Sequence, residues 1–337
     1  MRPFEYVSAN SRNQVGELLG KSWADAEILA GGTDLVALMK DEVVNPKRVV
    51  NIKSIRDLHG INADKGMFIG TLTTLSEIAH DLADEYPAIA EAARDAASPQ
   101  IRNVATIGGN LCQRPRCWYF RNGMGLLPKD KAGKSLVLEG DNRYHAILGN
   151  DGPAYFVSPS TIVPALIAHG AKVRILGGGK LREVELEKFY VTPKSETDRE
   201  HDLRPNELIV EVFLPKALGI HAANYEVRQK EAFDWPLATC SVALTMDGPR
   251  VKSAKIVLGH VAPIPWVSAE AAAAITGKEL TPENAMAAAN AALAHAKSLG
   301  KNKYKITVAK VAVKRALLAA TKSESAHLGG HRHDAHA

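Results

Sequence analysis

Short apolar runs and amphipathic stretches alternate along the first half of the chain. Apolar runs bounded by polar or turn-forming residues predict strands at 26–30, 48–52, 66–70 and 171–176. Apolar residues at helical spacing predict helices at 11–19, 35–40, 75–82, 89–97 and 162–169. This alternation indicates two consecutive α/β units, over residues 1–56 and 57–217.

The last part of the chain follows a different pattern. The predicted elements are strands at 241–245 and 253–258 and amphipathic helices at 282–299 and 308–319. Residues 218–321 are therefore expected to form a C-terminal α+β domain, which makes the whole chain α+β. Residues 322–337 are polar and His-rich and are predicted to be a disordered tail. Weak binding of a divalent metal by its histidines is the alternative.

Charge and composition exclude several classes of protein. The 337 residues carry 42 Lys and Arg against 37 Asp and Glu, interspersed rather than massed, so no nucleic-acid partner is expected. Three cysteines are too few for a disulfide scaffold and fit a reducing compartment. No apolar run approaches the ~20 residues of a membrane helix, and no signal-peptide core is visible. We therefore expect a cytoplasmic protein without membrane insertion, or a periplasmic one if a partner carries it across.

The first candidate site is the glycine loop Ala30–Leu35, which has the sequence AGGTDL. Two successive residues without Cβ let the backbone approach a ligand, and the following helix would add a partial positive charge, which suits a diphosphate. Thr33 and Asp34 are expected to cap that helix through their side-chain oxygens. The loop lacks the G-x-G-x-x-G fingerprint, so a nicotinamide-binding Rossmann domain is disfavoured. Taken alone, the loop could equally be a structural turn.

A second glycine loop, Thr106–Leu111 (TIGGNL), follows in the next α/β unit. It has a hydroxyl before its diglycine and an amide after it. Two such loops in consecutive units could hold the two ends of an extended dinucleotide. The pair is a much stronger signal than either loop alone.

The order of these segments resembles a known family. "ILAGGTDLVALMK" (28–40), "IGTLTTLSEIA" (69–79) and "IRNVATIGGNL" (101–111) are similar to segments of the flavin-binding subunits of the xanthine dehydrogenase and carbon monoxide dehydrogenase family. Segments 228–244, 258–278 and 302–318 resemble that family's C-terminal domain. The resemblance covers about residues 1–320, and the combination of segments makes it specific.

The resemblance implies FAD bound without a covalent bond between two PCMH-type α/β subdomains. The first loop would hold the pyrophosphate, and the second would contact the pyrophosphate or the flavin ring. The implied cofactor-binding residues are Leu29, Ala30, Gly31, Gly32, Thr33, Asp34, Leu35, Thr71, Thr106, Gly108, Gly109 and Asn110. No catalytic residue and no metal ligand is expected on this chain.

The same resemblance implies that the chain works inside a complex. A molybdopterin-binding large subunit would oxidise the substrate. A small subunit with [2Fe–2S] clusters would pass the electrons to FAD, which would pass them to an external acceptor. The alternatives are a stand-alone FAD-dependent oxidoreductase with its own small substrate and a structural subunit without flavin.

Residues 112–142, the inserted segment, lack a regular pattern, and so long a loop tends to be functional or partner-facing. Its start, CQRPRCWYFR, and segments 141–149 and 152–160 resemble the 4-hydroxybenzoyl-CoA reductase and bacterial aldehyde oxidoreductase branch, in which four cysteines hold a [4Fe–4S] cluster. Here only Cys117 matches a ligand, and Ala154 replaces another, so no such cluster is expected. The preferred role of the inserted segment is packing or partner contact. The alternative is a zinc site that His145 completes.

Several residues outside the loops are weaker candidates. Arg114, Arg116 and Arg121 interleave with three aromatic residues, which favours a subunit interface or a contact at the flavin edge. A second group is expected either to approach the flavin or to serve packing. It consists of Tyr144, His145, Lys230, Asp234 and Trp235.

Overall fold

The computed structural model describes residues 1–230 and 233–321, so the predicted tail at 322–337 lies outside the described residues. Three sheets organise the described chain, and each belongs to a consecutive stretch of sequence. This is the predicted α+β arrangement.

The first unit is a small parallel sheet with its helices on the connections. Its elements are β1 (Glu5–Ser8), α1 (Arg12–Leu18), β2 (Ala26–Leu29), α2 (Leu35–Lys40) and β3 (Arg48–Asn51). The strand order is β1-β3-β2, so β3 is central, and both of its valines are buried. Parallel strands need crossover connections, which α1 and α2 supply. The order places the end of β2, and with it the first loop, at one edge of this sheet.

The second unit is an antiparallel sheet in the order β4-β5-β8-β6-β7. Its strands are β4 (Ile61–Ala63), β5 (Gly66–Gly70), β6 (Lys172–Gly177), β7 (Lys180–Glu185) and β8 (Glu207–Pro215). Its helices are α3 (Leu75–Asp81), α4 (Pro87–Asp95), α5 (Pro99–Arg102), α6 (Ile107–Leu111), α7 (Trp118–Arg121), α8 (Leu136–Glu139), α9 (Ile162–Ala168) and α10 (Leu186–Phe189). Every residue of α9 is buried in the large core that this sheet shares with its helices.

The third unit is an antiparallel meander covered by alanine-rich helices. Its elements are β9 (Ile220–Val227), β10 (Ala238–Asp247), β11 (Arg250–Gly259), β12 (Trp266–Val267), α11 (Ala269–Ile275), α12 (Pro282–Ala292) and α13 (Tyr304–Ala320). Small alanine side chains let α12 and α13 pack closely against each other, and α13 also packs on β9 and β10.

Two helix boundaries differ from the prediction by four residues or more. The helix predicted over 282–299 ends at Ala292, because the residues after it bond to the region around the inserted segment: Lys297 N–H donates to Ile147 O at 2.7 Å. Asn142 Nδ2 likewise donates to Leu299 O at 2.8 Å. The final helix begins at Tyr304 rather than at residue 308. Tertiary hydrogen bonds that the helical pattern cannot show determine where α12 ends.

Candidate functional site

The two glycine loops meet in one cleft between the first and second units. The cleft has a volume of about 150 Å³ and is partly open to solvent. Ten of the twelve implied cofactor residues line it: Ala30, Gly31, Gly32, Thr33, Asp34, Leu35, Thr71, Thr106, Gly108 and Gly109. The fold therefore places these residues, which were identified from the sequence, side by side.

The first loop can adopt its shape only with glycines. Gly32 has a φ of 75°, in the left-handed region that side chains with a Cβ rarely adopt. A Cβ on Gly31 would lie 1.8 Å from the carbonyl oxygen of Val104, which belongs to the segment just before the second loop. Gly31 therefore serves the contact between the two loops, in addition to any approach of a ligand.

Backbone amides of the first loop are available to a ligand. Among the residues that the structure describes, the N–H groups of Gly31, Gly32, Thr33 and Asp34 donate no hydrogen bond. Successive free amides in a turn form a concave site that favours anions. The donor set of this loop fits the diphosphate of a dinucleotide.

The second loop, in contrast, uses its amides to hold itself in place. Gly108 N–H donates to Thr71 O at 3.0 Å, and Ile107 N–H donates to Thr73 O at 2.9 Å. Gly109 N–H donates to the hydroxyl of Thr106 at 3.2 Å, which caps α6. The second loop therefore presents a surface of fixed shape to the cleft, whereas the first loop presents free hydrogen-bond donors.

The second diglycine has two different roles. A Cβ on Gly108 would lie 1.8 Å from Thr71 Oγ1, so Gly108 is needed for packing. A Cβ on Gly109 would meet only Thr106 Oγ1, at 3.2 Å, and Gly109 is exposed in the cleft. Gly109 is therefore the glycine of this loop that is open to the cleft.

The other two implied residues lie beside the cleft. Leu29 is the last residue of β2, and its Cδ1 would be 3.1 Å from a Cβ on Gly32. Asn110 turns away from the cleft, where its Oδ1 accepts a hydrogen bond from the hydroxyl of Ser160 at 2.5 Å. Leu29 and Asn110 therefore support the two loops from outside the cleft.

The expected helix cap by Thr33 and Asp34 is wrong. Asp34 is the N-cap residue of α2 by position, yet no side-chain capping hydrogen bond is present. Its carboxylate accepts instead from the inserted segment, namely from Arg114 N–H at 2.9 Å and from Arg121 Nη2 at 2.8 Å. A backbone amide and a guanidinium of a distant segment therefore bind the Asp34 carboxylate in place of the free amides at the start of this six-residue helix.

A buried charge network on the cleft wall was not predicted. Arg114 pairs with Glu200, and Arg199 pairs with Glu27 and lies over the ring of Trp23. All five residues are in or next to the cleft lining. The paired residues are far apart in the sequence, so no local pattern indicates the pairs. Only complementary charges in distant segments could have suggested them.

His201 also lines the cleft. It stacks on Phe189 at 5.4 Å between ring centroids. Burial lowers its pKa to about 3, with Arg199 and Arg114 adding to the effect. The imidazole is therefore neutral and provides an apolar wall.

Two family models match the chain. The model described as the FAD binding domain in molybdopterin dehydrogenase matches residues 2–217, and the model described as the CO dehydrogenase flavoprotein C-terminal domain matches residues 223–320. The chain belongs to this family. The recognition made from the sequence and the FAD cofactor are confirmed.

Individual relatives agree with this membership. The chain is 31% identical to the aldehyde oxidoreductase FAD-binding subunit of Escherichia coli, over 92% of this chain and 96% of the relative. It is 29% identical to the carbon monoxide dehydrogenase medium chain of Hydrogenophaga pseudoflava, over 94% and 96% of the two chains. A solved structure of carbon monoxide dehydrogenase from Hydrogenophaga pseudoflava superposes with a TM-score of 0.74 at 30% identity, and the match covers 95% and 97% of the two chains.

Within the family, the inserted segment does not fit an iron–sulfur cluster. Cys117 packs beside a small apolar cluster formed by Leu38, Phe120, Leu126, Leu127, Ala154 and Phe156. Cys112 lines the flavin cleft, and Cys240 is buried in β10. No group of three His, Cys, Asp or Glu side chains among the described residues is arranged to hold a metal. Apolar side chains therefore surround Cys117.

Five of the eight weaker candidates gather at a second cavity of about 260 Å³ between residues 116–159 and the third unit. Tyr144, His145, Asp234 and Trp235 line it, together with Arg116, whose guanidinium lies 4.5 Å from the ring centroid of Trp235. The cavity lining does not include the loops of the first cleft. No helix in the described ranges 1–230 and 233–321 is long and apolar enough to span a membrane.

Proposed function

We propose that this chain is the FAD-binding electron-transfer subunit of a multi-subunit molybdenum hydroxylase. A small partner subunit with [2Fe–2S] clusters delivers electrons, and a large partner subunit carries the molybdenum cofactor where substrate is oxidised. The observation that carries the proposal is the row of four free amides in the first loop, facing the second loop across one cleft, in a chain that the FAD-binding model matches over residues 2–217. Relatives named as FAD-binding subunit and medium chain support the multi-subunit setting.

Each loop has a separate task in this proposal. The free N–H groups of residues 31–34 bind the diphosphate oxygens, and Lys53, whose Nζ lies 3.4 Å from Ala30 O, adds a positive charge beside them. Gly109 leaves room for the flavin side of the ligand, while Thr71 and Thr106 fix its position. When bound, the flavin supplies the redox chemistry, and the protein binds and orients it.

We infer that the proposed complex lies in the cytoplasm. Three cysteines, all free among the described residues, support the cytoplasm.

Copurification tests the proposed function. The chain expressed with its candidate partners should copurify with one molybdenum-containing and one iron–sulfur subunit, and released cofactor should contain about one FAD per copy of this chain. A yellow chain that oxidises a small substrate alone would instead establish a stand-alone oxidoreductase. A colourless chain that takes up no added FAD would leave a structural subunit.

Substitution at Gly32 tests the first loop. Gly32→Ala should reduce FAD content strongly, because Ala is strained at a φ of 75° and the amides would turn away from the diphosphate. Gly248→Ala is the matched control, since Gly248 has a φ of 54° in the turn between β10 and β11, away from the cleft. Both variants should lose about 1 kcal/mol of stability, and only Gly32→Ala should lose flavin. Equal FAD content in both would contradict this placement.

Substitution at Gly109 tests the second loop. Gly109→Val should lower FAD content, since the added side chain would occupy the cleft. The melting temperature of the flavin-free chain should change little, because a Cβ at this position would approach only Thr106 Oγ1. Gly108→Val should instead destabilise the fold, since its Cβ would clash with Thr71. Visible absorbance and thermal unfolding of the two variants distinguish ligand contact from packing.

A further inference from the structure

We propose that Asp34 is a positioning residue through which the inserted segment sets the affinity of the first loop for the flavin diphosphate. The inference rests on the proposed function. Its carboxylate does not contact the diphosphate in this proposal. It fixes the loop whose amides do.

The carboxylate of Asp34 is held from one side. Arg114 N–H and Arg121 Nη2 donate to its two oxygens, and Arg116 Nη2 lies 3.2 Å from Oδ1. The Asp34 side chain is 15% exposed, so water screens these interactions only partly. All three donors belong to the first ten residues of the inserted segment.

The donors are themselves held in place. Arg121 Nε donates to Pro115 O at 2.8 Å, and its Nη2 also donates to Arg114 O at 3.0 Å. Arg114 pairs with the buried Glu200, and Arg116 lies over Trp235. A planar guanidinium fixed at several nitrogens defines both distance and direction. The link to Asp34 is therefore rigid rather than a mobile surface ion pair.

The inserted segment is anchored at a second point as well. The amides of Leu126 and Leu127 donate to the carboxylate of Glu196, at 2.7 and 2.8 Å. Leu38 of α2 packs with both leucines in the apolar cluster. The segment thus holds α2 by packing and the start of α2 by charge, and these two contacts fix the orientation of the first loop.

Charge makes the link necessary for an anionic ligand. Asp34 is one of the residues with free amides, and an unpaired carboxylate there would repel a diphosphate. Arg116 and Arg121 neutralise that carboxylate and fix its position. We infer that the loop binds its ligand well only while this ion pair is intact.

Affinity measurements on three variants test the proposal. Asp34→Asn, Arg121→Gln and the double variant would be compared for the dissociation constant of FAD and for the melting temperature of the flavin-free chain. Each single variant should bind FAD about tenfold more weakly or worse, and the double variant should bind no more weakly than the poorer single variant, because both changes break one link. Where the flavin-free chain does not stay folded, the rate of FAD release from the loaded protein gives the same comparison.

Other outcomes would overturn the proposal. If Asp34→Asn binds FAD as tightly as the unaltered chain or more tightly, the carboxylate contributes only repulsion. If melting temperatures fall while the FAD dissociation constant is unchanged, the link is purely structural. Arg121→Lys keeps the charge but not the fork of donors, so it should recover only part of the affinity.

A matched control separates this idea from the proposed function. Arg143→Gln removes an exposed guanidinium just after the inserted segment that pairs with Asp141 rather than with Asp34, and it should change neither quantity. An unaltered chain that binds no FAD would refute the proposed function itself. Normal FAD binding by the unaltered chain, with no loss in the Asp34 and Arg121 variants, would refute only the inference about Asp34.

Discussion

At the scale of single residues, glycine and charged side chains do more than the sequence pattern suggests. Gly31 and Gly108 are expected from the sequence to let a ligand approach, but the atoms nearest to them belong to Val104 and Thr71. Both neighbours are distant in sequence, so no local pattern could distinguish the two uses of glycine. Only Gly32, through its φ, and Gly109, through its open surface, match the expected roles.

Lys305 is a residue whose importance the sequence hides. It is 1% exposed, and its Nζ donates to three carbonyl oxygens, those of Tyr144, His145 and His260, at 2.7 to 3.1 Å. Lys305→Met should lower the free energy of unfolding by about 2–4 kcal/mol, because three buried acceptors lose their donor. Chemical denaturation measures this, with the exposed Lys303→Met as control. An unchanged midpoint would show that water replaces the ammonium without cost.

The pH dependence of the same residue has a defined sign. Burial lowers the pKa of Lys305 to about 7, below its usual 10.5. Between those values the unfolded chain holds the proton and the folded chain does not, so Lys305 makes stability rise with pH across that window. The Lys305→Met variant should lack this rise.

At the scale of elements, the contact between α4 and β9 joins the second unit to the third. Glu226 on β9 has a side chain that is 1% exposed, and neither carboxylate oxygen has a hydrogen-bond partner among the described residues. Burial raises its pKa to about 8, and the nearby Asp95 adds to the effect.

This carboxyl group should weaken the contact as pH rises. Its pKa in the folded chain lies above 4.5, so between about pH 5 and 8 the folded chain holds more protons than the unfolded chain, and stability falls with increasing pH. Glu226→Gln should flatten that fall, whereas the exposed Glu139→Gln should not. Melting temperatures from pH 5 to 9 for the three proteins provide the test, and identical slopes would contradict it.

The elements themselves were predictable to different degrees. Helices with a clear apolar face, such as α3 and α9, lie close to where the spacing placed them. The end of α12 was not predictable, because hydrogen bonds to residues 142 and 147 determine it. The prediction also missed β8 and β9, the long central strand of the second sheet and the edge strand of the third.

At the scale of the whole molecule, the third unit completes the core of the second. Helix α9 contacts β10 and β11, and Ala243 and Val257 of those strands belong to the large core around it. Resemblance to the family over six segments gave the cofactor and the fold class, both of which are confirmed. The family resemblance did not predict the ion pairs of the cleft wall, which are Arg114 with Glu200 and Arg199 with Glu27. Pairing across 86 and 172 residues leaves no local pattern.

Truncation tests the shared core. A chain that ends at residue 217 should aggregate or melt well below the full chain, because the apolar face of α9 would be exposed to water. Light scattering and thermal unfolding provide the measurement. A truncated chain that stays monomeric, binds FAD and melts at the same temperature would show that the third unit is dispensable for the fold.

The contact between Gly31 and the carbonyl of Val104 also bears on the order of events during synthesis. The first loop leaves the ribosome early, but the groups that shape it, Val104 and Arg121, are made much later. A nascent chain that ends before residue 121 therefore carries the diphosphate-binding amides without the neighbours that orient them. Loading of FAD should accordingly begin only after translation has passed that residue.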